Sequence, residues 1–103
     1  IDAVWERHRH YQNVVQDVVP STLWFKNMYG CFIDDDFGLK NRHVVGLDNI
    51  TWECDYPHSD SYWPNSRKHA EFRFQDVPDD EVVKIVETNA RRLFNFYDDG
   101  VKP

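Results

Sequence analysis

The chain has 103 residues, 41% of them hydrophobic and 29% charged, and a formal charge of −6. That length suits one small domain with a modest core and falls far short of the about 250 residues of a complete eightfold β/α barrel. An acidic balance without a basic patch argues against a nucleic-acid partner. No apolar run approaches the roughly 20 residues needed to cross a bilayer, and no basic-then-apolar leader precedes the first helix, so no membrane role and a cytoplasmic location are expected. The first residue is Ile1 and the single methionine is Met28, which leads us to expect a processed product or a piece of something longer.

Residues 4–18 predict a helix, with Val4, Tyr11, Val14, Val15 and Val18 near one face and Glu6, Arg7, Arg9 and Gln12 on the other. Pro20 is expected to end it, with Ser21 or Thr22 beginning a short aromatic connection. Residues 27–33 form an apolar run of strand length, closed by Asp34, Asp35 and Asp36, and read as a buried parallel strand. Residues 36–45 predict a short amphipathic helix stopped by Gly46. Residues 50–54 make a second strand, and strand, helix, strand within about 30 residues is a βαβ crossover with a parallel sheet. Cys31 and Cys54 fall inside these strands and are expected to be buried, reduced thiols, since their spacing matches no short zinc pattern. Ser66 is expected to cap a helix reaching Phe74. A closing helix over 79–94 has Pro78 at its entrance, Asp79, Asp80 and Glu81 at its positive end and Arg91 and Arg92 at its negative end. Its apolar stripe is read as Val82, Val83, Val86, Ala90 and Leu93, and the tail 100–103 is expected to fray.

The most informative stretch is Asn49-Ile50-Thr51-Trp52-Glu53-Cys54-Asp55-Tyr56-Pro57-His58. It reads as an apolar strand that delivers a carboxylate, Asp55, to its carboxyl end and then turns at Pro57 to present His58. In parallel α/β proteins that end of a strand is where the functional loops gather. From the residues alone, Asp55 serves either chemistry or the capping of its own turn. His58 either contacts a substrate or bonds to loop backbone. Tyr56 and Trp63 are read as loop packing ahead of ligand contacts. Glu53 requires a partner if buried, and none is evident from sequence. Cys54 has no His or Asn arrangement that would make it a nucleophile. His8-Arg9-His10 looks like a chelating pair, but residues i and i+2 of a helix point about 200° apart and a solvated face is the better reading.

Several motifs in matching order resemble the amidohydrolase-related branch of the metal-dependent amidohydrolase superfamily. Cys54-Asp55-Tyr56-Pro57-His58, continuing through Ser59-Asp60-Ser61-Tyr62-Trp63-Pro64-Asn65-Ser66, resembles that family's last barrel strand and loop. Gly46-Leu47-Asp48-Asn49-Ile50 resembles its approach to that strand, and Tyr29-Gly30-Cys31-Phe32 its seventh strand. Trp5-Glu6-Arg7-His8-Arg9-His10 is similar to the helix between the sixth and seventh strands. Val77-Pro78, Lys84-Ile85-Val86 and Asn89-Ala90-Arg91-Arg92-Leu93 are similar to the closing helix. The resemblance implies an α/β fold, the C-terminal fragment of a (β/α)8 TIM barrel comprising about its last two βα units, the preceding helix and the closing helix, over residues 1–103. It also implies that Asp55 is a metal ligand and the catalytic proton-transfer group, that His58 contacts substrate, and that a divalent metal, zinc ahead of manganese, activates water in the intact parent. The family's H-x-H pair and its middle-strand histidines are missing here, so this chain alone is expected to bind no metal and to be inactive.

Three functions follow. The first is the C-terminal segment of a metal-dependent hydrolase of a small-molecule substrate, with a non-oxidative decarboxylase of the same family as the alternative chemistry. The second is a small non-catalytic α/β binding module. The third is a remnant held by other chains, without function of its own. An H-x-H about 200 or more residues upstream of Asp55 would establish the first. Two parallel strands leave both edges open, so self-association is expected.

Overall fold

A computed structural model describes residues 1–12 and 17–96. Helices α1 (Asp2–His8) and α2 (Pro20–Asn27) precede strand β1 (Gly30–Phe32). Helices α3 (Asp36–Lys40) and α4 (Arg42–Val45) and a 3-10 turn, Leu47–Asn49, lead into strand β2 (Ile50–Trp52). After a long loop come α5 (Ser66–Arg73) and a closing helix made of α6 (Asp79–Val83), a π-helical turn (Lys84–Thr88) and α7 (Asn89–Phe94). β1 and β2 run parallel, with Gly30 opposite Ile50, Cys31 opposite Thr51 and Phe32 opposite Trp52. The molecule is thus a mixed α/β structure built on an open two-stranded sheet.

Local chemistry explains the crossover. Asp35 caps α3 by accepting the Gly38 N–H at 2.8 Å. Gly46 ends α4 at φ 112°, a left-handed backbone that favours glycine, and a Cβ there would lie 3.1 Å from the Phe25 ring. The buried Asn49 then donates to the carbonyls of Phe25 and Met28, both at 2.8 Å, and fastens the end of α2 to the start of β2. From the closing helix, the buried Asn89 donates to Leu47 O and Ile50 O, both at 2.8 Å. These clamps give the Gly46–Ile50 motif its physical meaning, because they fix where β2 begins and therefore where Asp55 emerges.

Several expectations are corrected. The first helix stops at His8 instead of continuing to Val18; Val14 and Val15 lie outside the described residues, as does the tail 100–103. Pro20 starts a helix instead of ending one, since its missing N–H and fixed φ suit the first helical position. β1 is three residues long, Asn27 belongs to α2, and Met28, Tyr29 and Cys31 are exposed, because one neighbouring strand cannot bury a parallel strand. Cys54 lies beyond β2 and is half-buried; both cysteines are free thiols. Ser66 is the first residue of α5, not its cap. In the closing helix Val83 and Val86 are 51% and 39% exposed, and the inward positions are Ile85 and Asn89. These two sit four residues apart around the π turn, on one helical face.

The core of buried apolar side chains is Leu39, Ile50, Phe74 and Ile85, with Phe32, Trp52 and Val82 packed against it. All of it lies on the face of the sheet that Phe32, Ile50 and Trp52 share. The Cα radius of gyration is 17.2 Å, against about 13 Å for a compact domain of 100 residues. No helix among the described residues is long and apolar enough to cross a membrane.

Candidate active site

The last ladder bond, from Glu53 N–H to Phe32 O at 3.0 Å, marks where the chain leaves the sheet. Two residues later Asp55 adopts φ 54°, a left-handed conformation that aspartate tolerates better than most residues. The turn closes through His58 N–H donating to Asp55 O at 2.9 Å. The Tyr56–Pro57 and Trp63–Pro64 peptide bonds are both cis. This backbone brings the two candidate side chains together: His58 Nδ1 is 2.8 Å from Asp55 Oδ2. The sequence alternatives for His58 were substrate or loop backbone; its Nδ1 meets a partner that neither named, the Asp55 carboxylate. The hydrogen bond to Asp55, and then the charge of Asp55, raise the His58 pKa above its ordinary value, with Asp60 and Glu53 adding to the effect.

Glu53 finds a partner that sequence did not reveal. Cys31 points to the same sheet face from β1, and its hydrogen bond to Glu53 is the largest of the causes that raise the Cys31 pKa, followed by burial. Alternation along a parallel pair was the signal that would have found this contact, since Cys31 and Glu53 are diagonal neighbours across the ladder. Cys54 faces the opposite way, 3.1 Å from Ser66 Oγ and 3.6 Å from Ser61 Oγ. The two hydroxyls, Ser66 first, lower its pKa, and burial opposes them.

A cleft of about 410 Å³ opens at the carboxyl end of the strands, lined by Cys31, Ile33, Asp34, Glu53, Asp60 and Tyr62. Glu53 and Asp60, which bracket Asp55 in sequence, line this cleft; Asp55 itself does not. Tyr56 and Trp63 pack on each other at 5.3 Å between ring centroids and remain 64% and 60% exposed. His8 is the last residue of α1, and His10 lies beyond it. Among the described residues, no three His, Cys, Asp or Glu side chains come together to hold a metal ion.

Comparison with known proteins agrees with the order of motifs. The family model described as amidohydrolase matches residues 3–96, from α1 to the end of the closing helix. A search of curated proteins gives no match. With nearly its whole length matched, from the first helix through the Asp55 turn to the last, the chain belongs to the amidohydrolase family.

Proposed function

We propose that the chain is the C-terminal part of a (β/α)8-barrel enzyme of this family, acting on a small molecule, with Asp55 as its catalytic carboxylate. The observation that carries the reading is the position of Asp55, at the carboxyl end of a parallel strand, where barrel enzymes place their chemistry. The open sheet supports it. Cys31, Thr51 and Glu53 form a polar sheet face with no buried side chain, as a wall of a barrel interior would before the other strands close around it. A radius of gyration above that of a compact domain argues against the small independent binding module.

The residues present fit part of a metal site. Asp55 offers a hard carboxylate oxygen, suited to zinc or manganese, and the remaining ligands of the three that a catalytic zinc takes would come from outside the described residues. A bound divalent ion supplies a water that ionises near neutral pH. This chain's own part is to orient Asp55 through the left-handed turn and His58, and to let the carboxylate take a proton and return it to a leaving group. His58, 72% exposed at its side chain, would touch substrate through its other ring nitrogen. Hydrolysis is the reaction this set serves most directly. Non-oxidative decarboxylation is the alternative within the family.

Asp55→Asn in the full-length protein tests the reading. It should lower kcat by about 10²–10⁴, the contribution of one positioned acid–base group, while leaving the folded spectrum unchanged. Activity within about threefold of the parent would remove Asp55 from the mechanism. The 103-residue chain by itself is expected to show no turnover and to self-associate through its open strand edges in sedimentation. A strictly monomeric, cooperatively folded species would favour the binding module.

A further inference from the structure

The loop that carries Asp55 and His58 is tied down at its far end by groups outside the proposed chemistry. Tyr62 donates its hydroxyl to Asp34 Oδ2 at 3.2 Å. The same oxygen accepts from Arg73 Nη2 at 2.6 Å, while Nη1 of that guanidinium reaches Asp36 Oδ1 at 2.7 Å. The His69 ring stacks on Tyr62, with centroids 3.5 Å apart and planes 9° from parallel. Asp34 belongs to the connection after β1, Asp36 to the start of α3, Tyr62 to the loop after β2, and His69 and Arg73 to α5. One carboxylate oxygen of Asp34 joins the connection, the loop and α5.

His69 is the incomplete member of this cluster. Its side chain is 11% exposed and its Nε2 stands 3.7 Å from Asp34 Oδ2. That nitrogen is buried and makes no hydrogen bond. The gap is too long for a hydrogen bond and short enough for an ion pair. Protonation would turn an unpaired nitrogen into a charged donor facing a carboxylate, and hydrogen bonds to charged groups are the stronger kind. The charged and titratable groups facing His69 are Asp34 from the β1 connection, with Asp36 of α3 behind it, Tyr62 from the loop, and Arg73 from its own helix. Arg73 opposes the imidazolium, but it is also held by Asp36. The stacked Tyr62 ring favours a cation on its face.

We propose that His69 is the pH-responsive member of a latch that fastens the 55–65 loop to Asp34. In acid the imidazolium joins Arg73 and Tyr62 on Asp34, and the loop is held. As pH rises the neutral ring lets go, and the loop depends on Tyr62 and Arg73 alone. Because Asp34 and Tyr62 both line the cleft at the carboxyl end of the strands, the latch controls one wall of that cleft. It depends neither on a metal nor on the reaction catalysed.

Hydrogen exchange of peptides spanning 55–65 in the full-length protein tests this, at about pH 5 and pH 8, the two sides of a histidine titration. Rates are corrected for intrinsic exchange, and every chain carries His58→Gln so that the Asp55–His58 pair does not contribute. We expect about tenfold more protection in acid, the effect of one charge-assisted bond. The difference should vanish in His69→Phe, which keeps a ring to stack, and in Asp34→Asn, which keeps an acceptor for Tyr62. No pH difference in the chain that retains His69 would overturn the latch, whatever the variants do. A difference that survives either substitution would overturn it as well.

Discussion

The two faces of the sheet divide the molecule's tasks. On one face Phe32, Ile50 and Trp52 meet Leu39, Phe74 and Ile85, and all four fully apolar core residues are there. On the other, Cys31 is exposed and Thr51 and Glu53 are half-buried. The first face is built from residues that want to leave water and is covered by helices from this same chain. The second carries a thiol, a hydroxyl and a carboxylate, and it leads directly to Asp55. Stability comes from the covered face, and the groups capable of chemistry stand on the bare one.

Asp55→Asn, already expected to cost catalysis most, should leave the covered face untouched. Ile85→Ala attacks that face where it is tightest, since Ile85 is 0% exposed. It should lower stability by about 2–5 kcal/mol in denaturant unfolding. A loss below about 1 kcal/mol would mean that the helix side is not the structural half. Asn89→Ala removes a buried donor shared by Leu47 O and Ile50 O, and should cost about 1–3 kcal/mol. Cys31→Ala sharpens the contrast. In the 103-residue chain it should change stability by less than about 0.5 kcal/mol, as an exposed substitution does. In the full-length protein it should cost clearly more, because a closed barrel would make that face an interior. Equal effects in both would count against the barrel.

The smallest expected effect is electrostatic. In metal-free protein, His58 should titrate above its ordinary value near 6.5 in an NMR pH series, because Asp55 favours its charged form. The raised folded pKa sets the sign: the stability from this pair is complete below about pH 6.5 and is lost as pH rises through the folded value. Asp55→Asn should return His58 toward its ordinary value. An unchanged titration in that variant would break the pairing.

Much of the architecture was legible in the chain. The βαβ crossover, the parallel pairing, the stop at Gly46 and the entrance at Pro78 each rest on a local preference that neighbouring residues reinforce. The Asp55 turn was legible for the same reason, since Asp-Tyr-Pro-His can only be a turn after an apolar strand. Helix lengths and the inward face of the closing helix were not. Apolar periodicity put Val83 and Val86 in the stripe and left out Ile85, and a π turn together with the packing partner turned Ile85 inward.

Sequence alone therefore determined the βαβ crossover, the family and the delivery of Asp55 to the carboxyl end of a strand, because turns, caps and short apolar runs are set by residues next to one another. Tertiary structure alone decided what each polar side chain meets. Cys31 and Glu53 come from different strands, and Asp34, Tyr62, His69 and Arg73 from three separate segments. Such contacts depend on where the backbone clamps of Asn49 and Asn89 place whole elements, and no local pattern along the chain encodes that distance.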